Sequence, residues 1–184
     1  ALHRNVEETF AKNHGRIKGQ KSALLALGKL GGREMTATSD LDLITVYDFA
    51  GERAQSEGAK SLSGSQYHMR FTQRLIAALS AQTAEGSLYQ VDMRLRPSGN
   101  QGPVATSLAS FVDYQRNSAW TWEHLALTRA RVVSGPPELR RTIERTISEV
   151  LRRPRDRAQV AADVRIMRAK IEEEKGTLDV WDLK

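Results

Sequence analysis

Asp40 and Asp42 stand one residue apart at the head of an apolar run, DLDLITVYDF (40–49). The composition of that run is β-branched and aromatic, which suits a strand. Two carboxylates at alternate strand positions project to one face, about 7 Å apart for a rise of about 3.3 Å per residue. Like charges that close raise each other's pKa. A divalent cation taking an oxygen from each removes the conflict. Mg²⁺ prefers hard oxygen ligands and leaves positions for substrate phosphates; Mn²⁺ is the alternative.

A third acid lies in GSLYQVDMRLRP (86–97), which also alternates. Leu88, Gln90, Asp92, Arg94 and Arg96 share one face of the expected strand, and Tyr89, Val91, Met93 and Leu95 the other. Pro97 ends it. If this strand lies beside the first, Asp40, Asp42 and Asp92 converge. Three acids can hold two metal ions, an arrangement suited to in-line displacement at phosphorus.

Other residues fit a phosphate ligand. Gly31 and Gly32 precede the acids and would let backbone N–H groups approach a phosphate without a Cβ in the way. No Gly-Lys-Ser/Thr and no Gly-x-Gly-x-x-Gly pattern accompanies them. Lys29 can touch a phosphate or lie solvated at a strand end. Ser39 can contact nucleotide or cap the loop before Asp40. Arg94 and Arg96 can fork onto phosphate oxygens, or pair with Asp40, Asp42 or Asp92 to hold the site together. Asn100 and Gln101 lie in a loop that could close on a base.

These residues need elements to position them. Val6 and Phe10 mark a helix over 4–13. The run 22–30 reads as a buried strand stopped by glycine. Residues 51–66 are polar and rich in Gly and Ser, a mobile loop. Phe71, Leu75, Ile76 and Leu79 mark one helix face. The order strand, turn, strand, helix, strand suggests a mixed sheet with one functional face.

After the loop 97–107 the pattern becomes helical. Segments around 107–117 and 119–133 are helix candidates. Leu139, Ile143 and Ile147 form a stripe behind a proline-started helix. Val160, Val164, Met167 and Ile171 form another. Trp122, Leu125 and Ala126 form a third stripe, so Trp120 and Trp122 are expected in the core rather than stacked on adenine. His124 has no partner at metal-ligand spacing and is expected to be structural. The fold expected is α+β, a mixed-sheet core over 1–105 followed by a helical domain over 106–184.

The chain has 184 residues and a formal net charge of +6. A basic surface attracts polyanions, although an arginine-rich stretch over 138–157 reads most simply as solvated helix faces. With no cysteine, a disulfide framework and a cysteine-ligated metal site are excluded. No apolar run approaches a membrane span, and the first residues lack a signal-peptide layout. The chain begins without Met. It is expected to be a fragment of a longer protein and cytoplasmic.

The pairing of Gly-Gly with Asp-x-Asp matches the nucleotidyltransferase signature of the polymerase-β type. Three blocks make the likeness more specific: GKLGGREMTATSDLDLI, YQVDMRLRPSGNQGPVATS and DYQRNSAWTWEHLALTRARVV. In this order they resemble the glutamine synthetase adenylyltransferase family over roughly residues 20–135. The resemblance implies an enzyme of two related halves, one adenylylating a tyrosine of glutamine synthetase and the other removing the adenylyl group by phosphorolysis. The third block resembles the adenylylating, C-terminal half.

It further implies ATP as substrate and Asp40, Asp42 and Asp92 as catalytic metal ligands, with Asp92 also helping to remove a proton. Its partners would be glutamine synthetase and, through the full-length enzyme, a nitrogen-signalling regulatory protein. Neither a membrane nor a nucleic acid is expected as partner. Three rivals remain: the adenylyl-removing half, a nucleotidyltransferase acting on RNA ends, and a non-catalytic docking module.

Overall fold

The computed structural model describes residues 1–175 except 52, 53, 83, 85, 87 and 88. The sheet begins with β1 (Lys21–Ala26) and β2 (Leu41–Asp48), paired antiparallel from Lys21↔Asp48 to Ala26↔Leu43. β3 (Val91–Asp92) and β4 (Ala105–Ser107) both run parallel to β2, along its other edge. β5 (Arg131–Ser134) pairs antiparallel with β1. The sheet is therefore mixed, as expected, with β2 central.

Strand alternation sorts the core onto two faces. Ala23 and Leu25 of β1 and Ile44 and Val46 of β2 pack with Phe111, Leu139, Ile143 and Val150. These come from α4 (Leu108–Asn117) and α6 (Pro137–Leu151). On the opposite face Leu24 packs with Val6, Phe71 and Leu75, from α1 (Leu2–His14) and α3 (Gly64–Leu79). Helices α3 and α6 bury residues of the stripes their spacing announces.

Several expectations change. The expected strand 22–30 ends at Ala26, and Gly28–Gly32 forms a single helical turn, α2. The expected strand 86–97 survives as Val91–Asp92; Ser87 and Leu88 lie outside the described residues. Its alternation breaks because residues 94–97 turn away from the sheet and Arg96 folds inward. In the expected loop 51–66, Glu52 and Arg53 lie outside the described residues. The rest is tied down: Ser56 N–H donates to Leu62 O (2.9 Å), Leu62 N–H to Ser56 Oγ (3.0 Å), and Gly58 packs against the backbone of His14 and Gly15.

The largest change concerns the second half. Residues 131–133, the end of an expected helix, form a sheet strand with Ser134, so α4 and α6 share their core with the first half. Three β-branched or small residues after Arg131 suit an edge strand. α5 (Thr121–Leu127) buries Glu123 and Leu127, not the Trp122–Leu125 stripe. Glu123 accepts from the Tyr114 hydroxyl (2.9 Å) and the Trp120 N–H (2.9 Å), which turns the helix inward on that side. Trp120 and Trp122 are consequently 70% and 37% exposed, beside Ile166 and Met167 of α7 (Arg157–Lys175). The α7 stripe is likewise at most half-buried, with Ile171 exposed. Residues 176–184 of the expected helical domain lie outside the described residues. No described helix is long and apolar enough to cross a membrane.

Candidate active site

The acids gather where β2 begins. Residues 33–40 form the approach, and Ser39 shapes it. Its buried Oγ accepts from Thr36 N–H (2.9 Å) and hydrogen-bonds Thr36 Oγ1 (2.8 Å), so Ser39 is the loop cap. Asp40 follows, exposed. Leu41 N–H then donates to Gln90 O (2.8 Å), which sets the β3 register and places Asp42 directly opposite Asp92. Neighbouring strands lie about 4.8 Å apart, so two carboxylates from separate strands face the same ground.

Their electrostatics differ. Asp42 is pushed above the ordinary carboxylate range, first by burial and then by the charges of Asp92 and Asp40, with Arg94 opposing. Asp92 is pulled below it, chiefly by the Arg94 side chain. Arg94 Nε and Nη2 both donate to Asp92 Oδ2 (2.8 and 2.5 Å), and Arg94 N–H donates to Oδ1 (2.7 Å). Of the two roles open to Arg94, the structure displays the ion pair.

Arg96 is held differently from Arg94. It is buried, and its guanidinium donates to the carbonyls of Met93 (2.7 Å), Gly102 (3.2 Å) and Pro103 (3.1 Å). It braces the 93–103 turn and has no free fork for a phosphate. Asn100 and Gln101 sit at this turn, in or beside a 3-10 segment over Gly99–Gln101.

The glycine pair also has a different reason for being glycine. Gly31 is buried, its N–H donates to Leu27 O (2.7 Å), and a Cβ there would lie 2.0 Å from Arg129 O. Gly32 lies against the Arg129 guanidinium, which is ion-paired with Glu34. Arg131 donates to Leu30 O (2.8 Å) and Gly31 O (3.2 Å), satisfying carbonyls at the end of the turn. Lys29 is exposed on the same turn.

The glycine closest to the acids is Gly28, which spacing arguments passed over. Its φ is +50°, and a Cβ would stand 2.1 Å from Asp42 Oδ2. The signal was present as the first glycine of GKLGG, ahead of the conspicuous pair. Arg131 and Arg129 belong to the TRARVV block and carried no individual sign of reaching this turn.

The fit to a divalent cation can be judged from the donors. Among the described residues, no three His, Cys, Asp or Glu side chains are grouped to hold a metal ion. The expected three-acid cluster is therefore not assembled in this state. The Asp42–Asp92 pair still offers hard oxygens from two strands, and Mg²⁺ is commonly held by one or two carboxylates plus phosphates and water. A cationic group already sits on Asp92. The pair fits.

Fold and site thus define a mixed-sheet α/β chain with acidic residues at one end of its central strand. The chain belongs to the glutamate-ammonia ligase adenylyltransferase family, whose family model matches residues 1–146. Similar proteins are the "bifunctional glutamine synthetase adenylyltransferase/adenylyl-removing enzyme" of Rhodopseudomonas palustris strain TIE-1 (61% identity) and Bradyrhizobium diazoefficiens (60%). The same-named enzyme of Xanthobacter autotrophicus is 56% identical. Each alignment covers the whole of this chain but 18–19% of the relative, so the chain spans about a fifth of their length.

Proposed function

We propose that this chain carries a nucleotidyltransferase site that moves AMP from ATP to a tyrosine of glutamine synthetase, in support of nitrogen regulation. The observation that carries the reading is the register Asp42↔Asp92 on parallel strands, at the head of a β2 that begins Asp-x-Asp. Membership of a family of adenylyltransferases supplies the substrate class. The mixed sheet suits the polymerase-β type of core.

Asp42 and Asp92, with Asp40 at the strand mouth, would hold Mg²⁺ or Mn²⁺. A bound divalent ion there would neutralise triphosphate charge and favour departure of pyrophosphate. The residues do the rest. Asp40 and Asp42 draw the cationic partner of ATP to the strand end. Asp92, once Arg94 lets go of it, would accept the proton of the attacking tyrosine hydroxyl, whose pKa of about 10 makes activation necessary. Arg94, exposed and forked, suits the phosphate oxygens of the leaving group. Positioning and charge neutralisation carry most of the rate.

The relatives' names join two activities, which keeps the adenylyl-removing reaction as a second reading. Incubation with ATP and unmodified glutamine synthetase, or with phosphate and the adenylylated form, separates the two. Label transfer from α-labelled ATP to tyrosine supports the first. Release of ADP from the adenylylated form supports the second. Asp42→Asn with near-parental transfer would remove the site assignment. The block DYQRNSAWTWEHLALTRARVV favours the adenylylating half. A nitrogen-signalling protein would act through the longer enzyme, in the cytoplasm, without a nucleic-acid partner.

A further inference from the structure

Arg94 does more than sit near the acids. It takes both oxygens of Asp92: Oδ1 through its backbone N–H, and Oδ2 through two guanidinium nitrogens. The two partners differ in freedom. The Asp92 side chain is 16% exposed and fixed in a strand, whereas Arg94 is 70% exposed in a turn. Asp42, across the strand pair, is left facing two like charges. The same turn anchors its other arginine, Arg96, entirely to backbone carbonyls. One arginine is therefore structural and the other is free to leave.

We propose that Arg94 is an internal counter-ion that guards Asp92 against a bare divalent cation and yields it when cation and triphosphate arrive together. This rests on the reading of Asp42 and Asp92 as the cation site. A metal arriving alone must break the forked ion pair and leave the guanidinium without an anion. A metal arriving with a nucleotide offers phosphate oxygens that the same fork fits. Metal and nucleotide binding are thereby coupled, and coupling of this kind is reciprocal. Release of Asp92 also frees an acceptor for the tyrosine proton, so the base forms when substrate is in place. Arg94 is a positioning residue until it transfers to phosphate, and a binding residue afterwards.

The test is Mn²⁺ binding, read as loss of the free-ion electron paramagnetic resonance signal, on this 184-residue chain with and without a non-hydrolysable ATP analogue. Relative to the parent, Arg94→Gln binds Mn²⁺ alone about tenfold more tightly, within the range for groups that tune metal ligands. The analogue improves Mn²⁺ affinity less in Arg94→Gln than in the parent. Arg94→Lys, which keeps the charge without the fork, falls between. If Arg94→Gln binds bare Mn²⁺ no more tightly than the parent while Asp42→Asn loses it, the guard is overturned and the cation site stands. If Asp42→Asn and Asp92→Asn both bind Mn²⁺ as the parent does, the cation site itself is wrong. Thermal unfolding monitored by circular dichroism checks that each variant is folded; the exposure of Arg94 spares the core.

Discussion

The two ends of the β1–β2 pair handle polar groups in opposite ways. At one end, near Ala26↔Leu43, Asp42, Asp92, Asp40 and Arg94 form a charged group left partly in conflict. At the other, near Ser22↔Tyr47, the buried His3 receives and gives hydrogen bonds. Its Nδ1 pairs with Ser134 Oγ (2.8 Å) and its Nε2 with Ser22 Oγ (3.1 Å). Burial lowers its pKa to about 4, so it stays neutral near neutral pH. The neutral end pins α1 to the sheet. The charged end keeps like carboxylates together, as the proposed cation site requires. A cleft of about 480 Å³ opens at the neutral end, lined in part by His3, Glu7, Ser22 and Ser134.

Substitutions should separate the two ends. The largest effect is expected for Asp42→Asn. AMP transfer falls at least about 100-fold, because a metal's charge stabilisation is worth several kcal/mol. The same variant unfolds at an equal or higher temperature, since a carboxylate with a raised pKa is destabilising when ionised. A lower unfolding temperature would break the contrast.

Next comes pH. The depressed pKa of His3 means the unfolded chain binds more protons between pH 6.5 and about 4. Its contribution is present above pH 6.5 and is lost as pH falls towards 4, by at most about 3 kcal/mol. Asp42 acts with the opposite sign, being most favourable below the ordinary carboxylate pKa and less so as pH rises through its raised value. Denaturant titrations across this range should show His3→Gln flattening the acid limb; an unchanged limb would show that His3 is not the neutral pin.

Gly28→Ala should cost about 1–3 kcal/mol in urea unfolding, from positive φ and collision with the Asp42 carboxylate. It should also weaken cation binding, which a substitution of comparable cost in the α1–α3 core would not do. The smallest effect belongs to Trp120→Ser. With its side chain exposed, stability should change by no more than about 0.5 kcal/mol; a larger loss would restore it to the core.

The legible features were those with a strict period. The α3 and α6 stripes and the start of β2 follow from 3.6- or two-residue spacing, whereas the partnership of Asp42 with Asp92 depended on their strands lying side by side. What escaped depends on contacts between distant segments. Arg96 leaves the polar face because a turn of carbonyls accepts it. Gly31 is glycine because Arg129 O, far along the chain, would strike a Cβ. Residues 131–134 became a strand because β1 had a free edge. Trp122 faces outward because Glu123, a charged residue, found a half-buried partner in Tyr114. Spacing alone carries none of these facts.

The central claim is that the Asp42–Asp92 pair is the metal–nucleotide site. Calorimetric titration of a non-hydrolysable ATP analogue with Mg²⁺ into the parent chain and into the Asp42→Asn, Asp92→Asn double variant tests it most directly. The account predicts one-to-one binding by the parent that requires the divalent ion, and no measurable binding by the folded double variant. Equal binding by both chains would contradict it.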